Sequence, residues 1–324
     1  MNFDNISGIV PVSDLNTIVL GNVRSGLDYS VSVVVDGSEI FSDTFRSHKA
    51  QLKIFGVGDM IFDSAAGVLA PECTVTVTPP EGGGQTKRFT ALITRLSIPD
   101  MSAGFSGDFL HMSNLSLCPA GTEVCLAALG PDISVTEQPD LTVEPYSGDA
   151  YTVSASRSGM GAVYRFTLPA GTGVVSARLG RRYHCFVVAD MPGAHCILYR
   201  NPFNAPEFVW LLAKVTARNE RSAQYATVSG EGREYDVNVV SEFEFSAKAV
   251  LPATRDYLVW LPYSTEIMID GIPVTVSELK TETSKESSEL FELKFTARLK
   301  NRRDVIFGGG VSGIFRSPFD RSFN

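Results

Sequence analysis

From Tyr235 to Leu251 the chain alternates with a period of two. The odd positions read Tyr235, Val237, Val239, Ser241, Phe243, Phe245, Ala247, Ala249 and Leu251, and the even ones include Asp236, Asn238, Glu242, Glu244, Ser246 and Lys248. Side chains of an extended strand point alternately to its two faces, so this pattern predicts a strand with one face on a core and one in water. A stretch of 17 residues is long for a strand, so a bend or bulge is expected inside it. The same alternation runs through Phe291, Leu293, Phe295, Ala297 and Leu299, and through Leu27, Tyr29, Val31, Val33 and Val35.

Turn chemistry supports these strands. Asp36-Gly37 separates VSVVV from SEIF, and Asp270-Gly271 separates EIMI from IPVTV. Asp-Gly between β-formers is a strong hairpin signal, because both central residues must take positive φ. Asp190–Ala194, DMPGA, stands between YHCFVV and HCILY and predicts a longer hairpin loop. Helix signals are few. One candidate begins near Asp63-Ser64 and covers AAGVL; the other has Thr254 as N-cap and runs through RDYLVWL to about Pro262. The fold class predicted is all-β: two β-sandwich or barrel-like domains, one or two short helices and an extended C-terminal arm.

Residues 130–149, GPDISVTEQPDLTVEPYSGD, hold three prolines and five acids and show little alternation. They predict a linker at 131–148 between an N-terminal β domain, 1–130, and a C-terminal one, 149–305. Residues 306–324 then form a Gly-rich linker and a Phe-rich arm.

Charge is uneven along the chain. Residues 1–150 carry 7 Lys+Arg and 18 Asp+Glu, a balance of −11, while residues 151–324 carry 21 and 18, a balance of +3. An acidic first half is the wrong sign for a phosphate backbone, so no specific nucleic-acid partner is expected. The start, MNFDNISGIV, has neither a basic leader nor an apolar stretch, and no window approaches ~18 apolar residues. Synthesis in a reducing cytoplasm and no membrane insertion are therefore expected. The five cysteines, an odd number, do not form an obvious disulfide framework.

Catalytic and cofactor motifs were sought on physical grounds. Gly308, Gly310 and Gly313 match G-x-G-x-x-G, but a dinucleotide site needs a following helix and strand, and only 11 residues remain after Gly313. His184-Cys185 and His195-Cys196 resemble paired metal ligands, yet neighbours in a strand face opposite ways, so neither dipeptide chelates. Cys118 and Cys125 flank PAGTEV and are placed as two thiols facing each other across a turn. Trp210, in FVWLL, and Trp260, in the second helix candidate, read as core. No enzyme, cofactor or metal is expected. The sequence instead singles out its tail. Phe315, Phe319 and Phe323 recur every four residues with Arg316, Asp320 and Arg321 between them, and Pro318 opposes a helix. Exposed Phe on a free arm promotes aggregation unless something covers it. The arm is therefore predicted to pack against a neighbouring subunit through Phe315, Phe319 and Phe323, with Arg316 and Arg321 at the rim.

Taken together, VSVVVDGSEIFSDTF, ILYRNPFNAPEFVWL, REYDVNVVSEFEFSAKAV, the short helix before EIMIDGIPVTV, ELFELKFTARLKNRR and the Phe-rich arm give a layout that resembles tail-tip (distal tail and baseplate) proteins of bacteriophages and prophages of Bacteroides-type gut bacteria. The resemblance implies a two-domain β protein and a structural subunit, multimeric around the tail axis. Its partners would be copies of itself and other tail proteins such as tube or hub components. Its place would be the tail of a virion assembled in the bacterial cytoplasm, with no catalytic residues. In such a ring the acidic half would line a lumen that does not hold passing DNA. The alternative is a carbohydrate-binding or adhesin-type β-sandwich protein at a bacterial surface, which would present exposed aromatics on one concave face.

Overall fold

In the computed structural model the described residues are 2–3, 6, 8–65, 67–94, 109–129, 139–159, 161–228, 231–283 and 290–300; for residues 2, 219–228, 231–241 and 283 the description is of backbone alone. The chain is all-β with two short α-helices among these residues. It divides into two compact units, Met1–Asp190 with Arg200–Glu207, and Met191–Tyr199 with Phe208–Asn324. The chain therefore passes between units three times. Residues 131–148 fall within the first unit.

The first unit opens with β1 (Asn2–Phe3), β2 (Ile9–Pro11), β3 (Thr17–Gly21), β4 (Asp28–Val35), β5 (Ser38–Arg46), β6 (Gln51–Phe55), α1 (Val57–Ser64), β7 (Glu72–Thr78) and β8 (Gln85–Leu92). It continues with β9 (Leu115–Pro119), β10 (Glu123–Ala128), β11 (Leu141–Pro145), β12 (Tyr151–Val153), β13 (Ser156–Ser158), β14 (Gly161–Thr167), β15 (Gly173–Leu179) and β16 (Arg182–Ala189). Sheets of order β1-β3-β6 and β2-β8-β7-β4-β5 share one apolar core. Alternation builds it: Tyr29, Val31, Val33 and Val35 of β4 and Cys73, Val75 and Val77 of β7 are buried, with Ile18, Leu20, Leu52 and Ile54 from the three-stranded sheet. Asp36 and Gly37 take φ of 45° and 83°, the doubly left-handed turn expected of the Asp-Gly pair. Sheets of order β10-β14-β13 and β12-β11-β15-β16-β9 make up the rest, with β9 parallel to β16.

Segment 67–71 and the 157–161 hairpin are pinned together within this unit. Ala70 and Gly159 form an isolated parallel bridge, and Leu69 N–H donates to Ser158 Oγ at 3.0 Å. The approach is so close that a Cβ on Gly159 would stand 2.1 Å from Ala70 O.

The second unit contains one seven-stranded sheet. Its strands are β17 (His195–Arg200), β18 (Pro206–Leu211), β19 (Lys214–Val228), β20 (Glu231–Val250), β21 (Ile267–Ile269), β22 (Ile272–Thr283) and β23 (Phe291–Leu299), in the order β18-β17-β21-β22-β23-β20-β19. The alternating stretch lies in β20 up to Val250, and the strand has the expected irregularities: one against β19 at Gln224/Tyr225 and one against β23 between Ala247 and Val250. Phe245 and Phe295 stack with centroids 4.8 Å apart and rings 7° from parallel. β19 and β20 pair from Lys214↔Ser246 to Val228↔Glu231, whereas β23 pairs with β20 only from Glu242 onward. Beyond that point the two strands continue as a ribbon with no third strand beside them among the described residues.

Three local expectations are corrected. Asp190–Ala194 is not a hairpin loop: β16 pairs with β15 and β9, β17 pairs with β21, and the segment carries the chain from one unit to the other. The first helix lies upstream of its candidate and ends at Ser64, with Gly56 at φ 76° as N-cap and the Ala65 N–H bonded to Ile61 O. The second, α2 (Pro252–Leu258), starts at the proline, whose missing N–H costs nothing in a first turn; Thr254 is inside it and Leu251 is the N-cap. No helix among the described residues is long and apolar enough to cross a membrane.

Candidate functional site: a buried histidine cluster

Two histidines and a glutamate meet in the first unit. The loop after β17 returns there as Arg200–Glu207, and buried polar groups hold it. Asn201 Nδ2 donates to Leu110 O at 2.8 Å, and Asn201 Oδ1 accepts from the Phe203 and Ala205 N–H groups. Asn204 Nδ2 donates to Val68 O at 3.0 Å, and Cys125 Sγ to Pro206 O. Glu207 closes the set, its Oε1 lying 2.7 Å from His111 Nδ1 with side-chain exposures of 2% and 4%. The Ala127 N–H donates to His111 Nε2 at 3.0 Å, so the ring proton sits on Nδ1 and is given to the carboxylate. A carboxylate on a buried strand must find a donor of this kind.

His184 stands beside this pair on β16. Its ring centroid is 5.9 Å from that of His111 and 4.5 Å from that of Phe186. His184 Nε2 is 2.9 Å from Ser116 Oγ, while His184 Nδ1 is buried with no hydrogen-bond partner among the described residues. Burial, and then the neighbouring His111, hold its pKa well below the usual 6.5, so the ring is neutral. A cavity of about 210 Å³ adjoins the cluster, lined by Phe109, His111, Met112, Ser113, Asn114, Tyr183 and His184.

Of the residues singled out from sequence, His184 thus belongs to a cluster with His111, while His195 lies apart in the second unit. His195 Nδ1 is 2.7 Å from Asp270 Oδ2, and Asp270 Oδ1 accepts from the Cys196 N–H at 2.9 Å. Asp270 itself has φ 51° in the Asp-Gly turn, so its side chain fastens that turn to β17. Asp270→Ala is expected to cost about 1 kcal/mol, a typical net value for such exposed bonds, read as a lower denaturant midpoint. Cys118 on β9 and Cys125 on β10 lie in different sheets; both are buried and neither is in a disulfide. Burial pushes the thiols of Cys73 and Cys125 up to about 12, and burial together with Asp270 pushes Cys196 to about 11, which makes all three poor nucleophiles. No three His, Cys, Asp or Glu side chains among the described residues are grouped to hold a metal ion. Phe315, Arg316, Phe319, Arg321 and Phe323 lie outside the described residues, as does the G-x-G-x-x-G match.

Sequence reasoning passed over His111, Asn201 and Glu207. Glu207 carried a signal: an acid between Pro206 and the apolar run FVWLL is placed to be buried, and a buried acid implies a partner. His111 carried none, since its partners are 96 and 16 residues away. Elsewhere on the first unit, Tyr146 is 81% exposed at a shallow groove with Pro169, Gly171 and Gly173.

No protein-family model matches this chain, and no curated protein matches it. Among solved structures it is similar to SGBP-B of the Bacteroides ovatus mixed-linkage glucan utilization locus, in complex with a mixed-linkage heptasaccharide, at 7% identity and TM-score 0.19, over 92% of this chain and 96% of that one. A bacterial ice-binding adhesin of 1.5 MDa aligns at 12% identity and TM-score 0.17, over 90% of this chain and 93% of that one. A Ca2+-stabilized adhesin of an Antarctic bacterium aligns at 14% identity and TM-score 0.15, over 90% and 70%. Scores of this size do not establish a shared fold.

Proposed function

We propose that the chain is a structural subunit of a bacteriophage or phage-like tail, of the distal-tail or baseplate kind, that assembles with copies of itself. The observation that supports this reading is the β19–β20 ribbon. Past Glu242 it continues for 11 residues of β20, about 36 Å at strand rise, without a third strand among the described residues. A two-stranded ribbon alone is marginal in water, and open strand edges invite pairing with another chain. Assembly gives the ribbon a neighbouring strand from a second copy. The Phe315–Phe323 arm is a second contact in this reading.

Replacing residues 219–241 by an Asn-Gly turn tests it. The full chain should run as a symmetric multimer by light scattering or native mass spectrometry, and the shortened chain as a folded monomer. A full chain that stays monomeric across the accessible concentration range, or a shortened chain that assembles equally well, would refute the proposal. A second reading, a glycan-binding surface protein, is favoured by the exposed Tyr146 ring. It requires binding to a glycan array that Tyr146→Ala reduces at least tenfold.

A further inference from the structure

We propose that His184 is the trigger of an acid-operated latch: proton uptake moves its ring into the adjoining cavity, opens the 109–114 loop and frees Arg200–Glu207. Three features carry the inference. The first is the missing partner. A neutral imidazole tolerates an unbonded Nδ1, but an imidazolium is a donor at both nitrogens, and among the described residues His184 Nδ1 has no hydrogen-bond partner. Among the described residues, the ionisable groups near the ring do not supply a counter-charge. His111 belongs to the segment before β9, and its two nitrogens are engaged by Glu207 and Ala127. Tyr183 and Cys185 flank His184 on β16, and the other packed neighbours, Phe109, Phe186 and Ser116, do not ionise. Glu207 makes its contact with Nδ1 of His111. A charge on His184 is therefore buried and uncompensated, which favours any arrangement that hydrates it.

The second feature is room to move. The cavity of about 210 Å³ that His184 lines is larger than the ~150 Å³ void that accommodates benzene, so an imidazole fits inside it. The third is what the walls of that cavity hold. Phe109 and His111 line it, and the same short segment supplies both Leu110 O to Asn201 and His111 to Glu207. Displacing the segment removes two of the bonds that fasten Arg200–Glu207.

The sign follows from linkage. The closed state disfavours the charged ring, so the latch is fully closed above the ordinary histidine value of about 6.5, and the open fraction rises up to about tenfold per pH unit below it. Hydrogen exchange of the full chain, corrected for intrinsic rates, tests this between pH 7.5 and 5.0. Exchange in 109–114 and 200–207 should rise more than about tenfold, while amides of β4 stay unchanged. His184→Phe keeps a ring without a titrating nitrogen and should remove the pH dependence. Should that variant not fold, Ser116→Ala provides the second arm: losing the Nε2 partner should move the onset of opening to higher pH. No rise in the two segments, an equal rise in β4, an undiminished rise in His184→Phe, or an unshifted onset in Ser116→Ala would each overturn the latch.

Discussion

Gly159→Ala is expected to destabilise the protein by about 3–5 kcal/mol. Gly159 has φ 61°, where an alanine is strained by about 1–2 kcal/mol before any contact is considered. The contacts then dominate. The new Cβ would lie 2.1 Å from Ala70 O, 2.6 Å from Ala70 C and 3.0 Å from Pro71 N, all of them backbone atoms that no side-chain rotation can move aside. Relief requires parting the bridge between segment 67–71 and the 157–161 hairpin, which also carries the Ser158 bonds to Leu69 and Gly67. Gly121→Ala separates the two causes, since Gly121 has φ 70° but nothing within 4 Å of its prospective Cβ. It should cost only about 1–2 kcal/mol. Urea titrations of both variants measure the difference, and equal losses would show that the close approach at Ala70 contributes nothing.

Glu207→Ala should be the next most damaging, at about 3 kcal/mol. The substitution leaves the His111 Nδ1–H buried without its acceptor, and breaking a buried pair costs more than the pair contributes when intact. Glu207→Gln keeps an oxygen within reach of that proton and should lose about 1 kcal/mol. The ordering Ala worse than Gln, read from thermal or urea midpoints, checks the account. Equal losses would mean that the hydrogen bond to His111 is not what Glu207 contributes.

The elements that were legible in the sequence are those whose cause is local. β4 and β23 follow from alternation, because a half-buried strand writes its two faces into adjacent residues. The Asp36-Gly37 and Asp270-Gly271 turns follow from backbone sterics alone. What the sequence hid depends on distant partners. YHCFVV and HCILY look like two arms of one hairpin, yet which sheet each strand joins is decided by β9, β15 and β21, up to 72 residues away. The strand β11 was hidden in the proline-rich stretch: its alternation, Leu141 and Val143 buried in contrast to Thr142 and Glu144, spans only four residues between Pro139 and Pro145, and its pairing with β12 and β15 completes it. Of the histidine cluster, only His184 was legible, and as a member of a dipeptide rather than of its true group. Its neighbour Cys185 had drawn attention toward metal binding, while the residue that matters to it, His111, stands 73 positions earlier.

The path of the chain has a consequence for how such a protein can be divided. Because the boundary is crossed at 190/191, 199/200 and 207/208, no single peptide bond separates the two units. One protease nick leaves them joined, and neither unit can be produced by trimming the gene from one end. A recombination event that exchanges one unit must carry the Arg200–Glu207 segment with the first, which makes the eight residues inside the second unit's sequence the hereditary property of its neighbour.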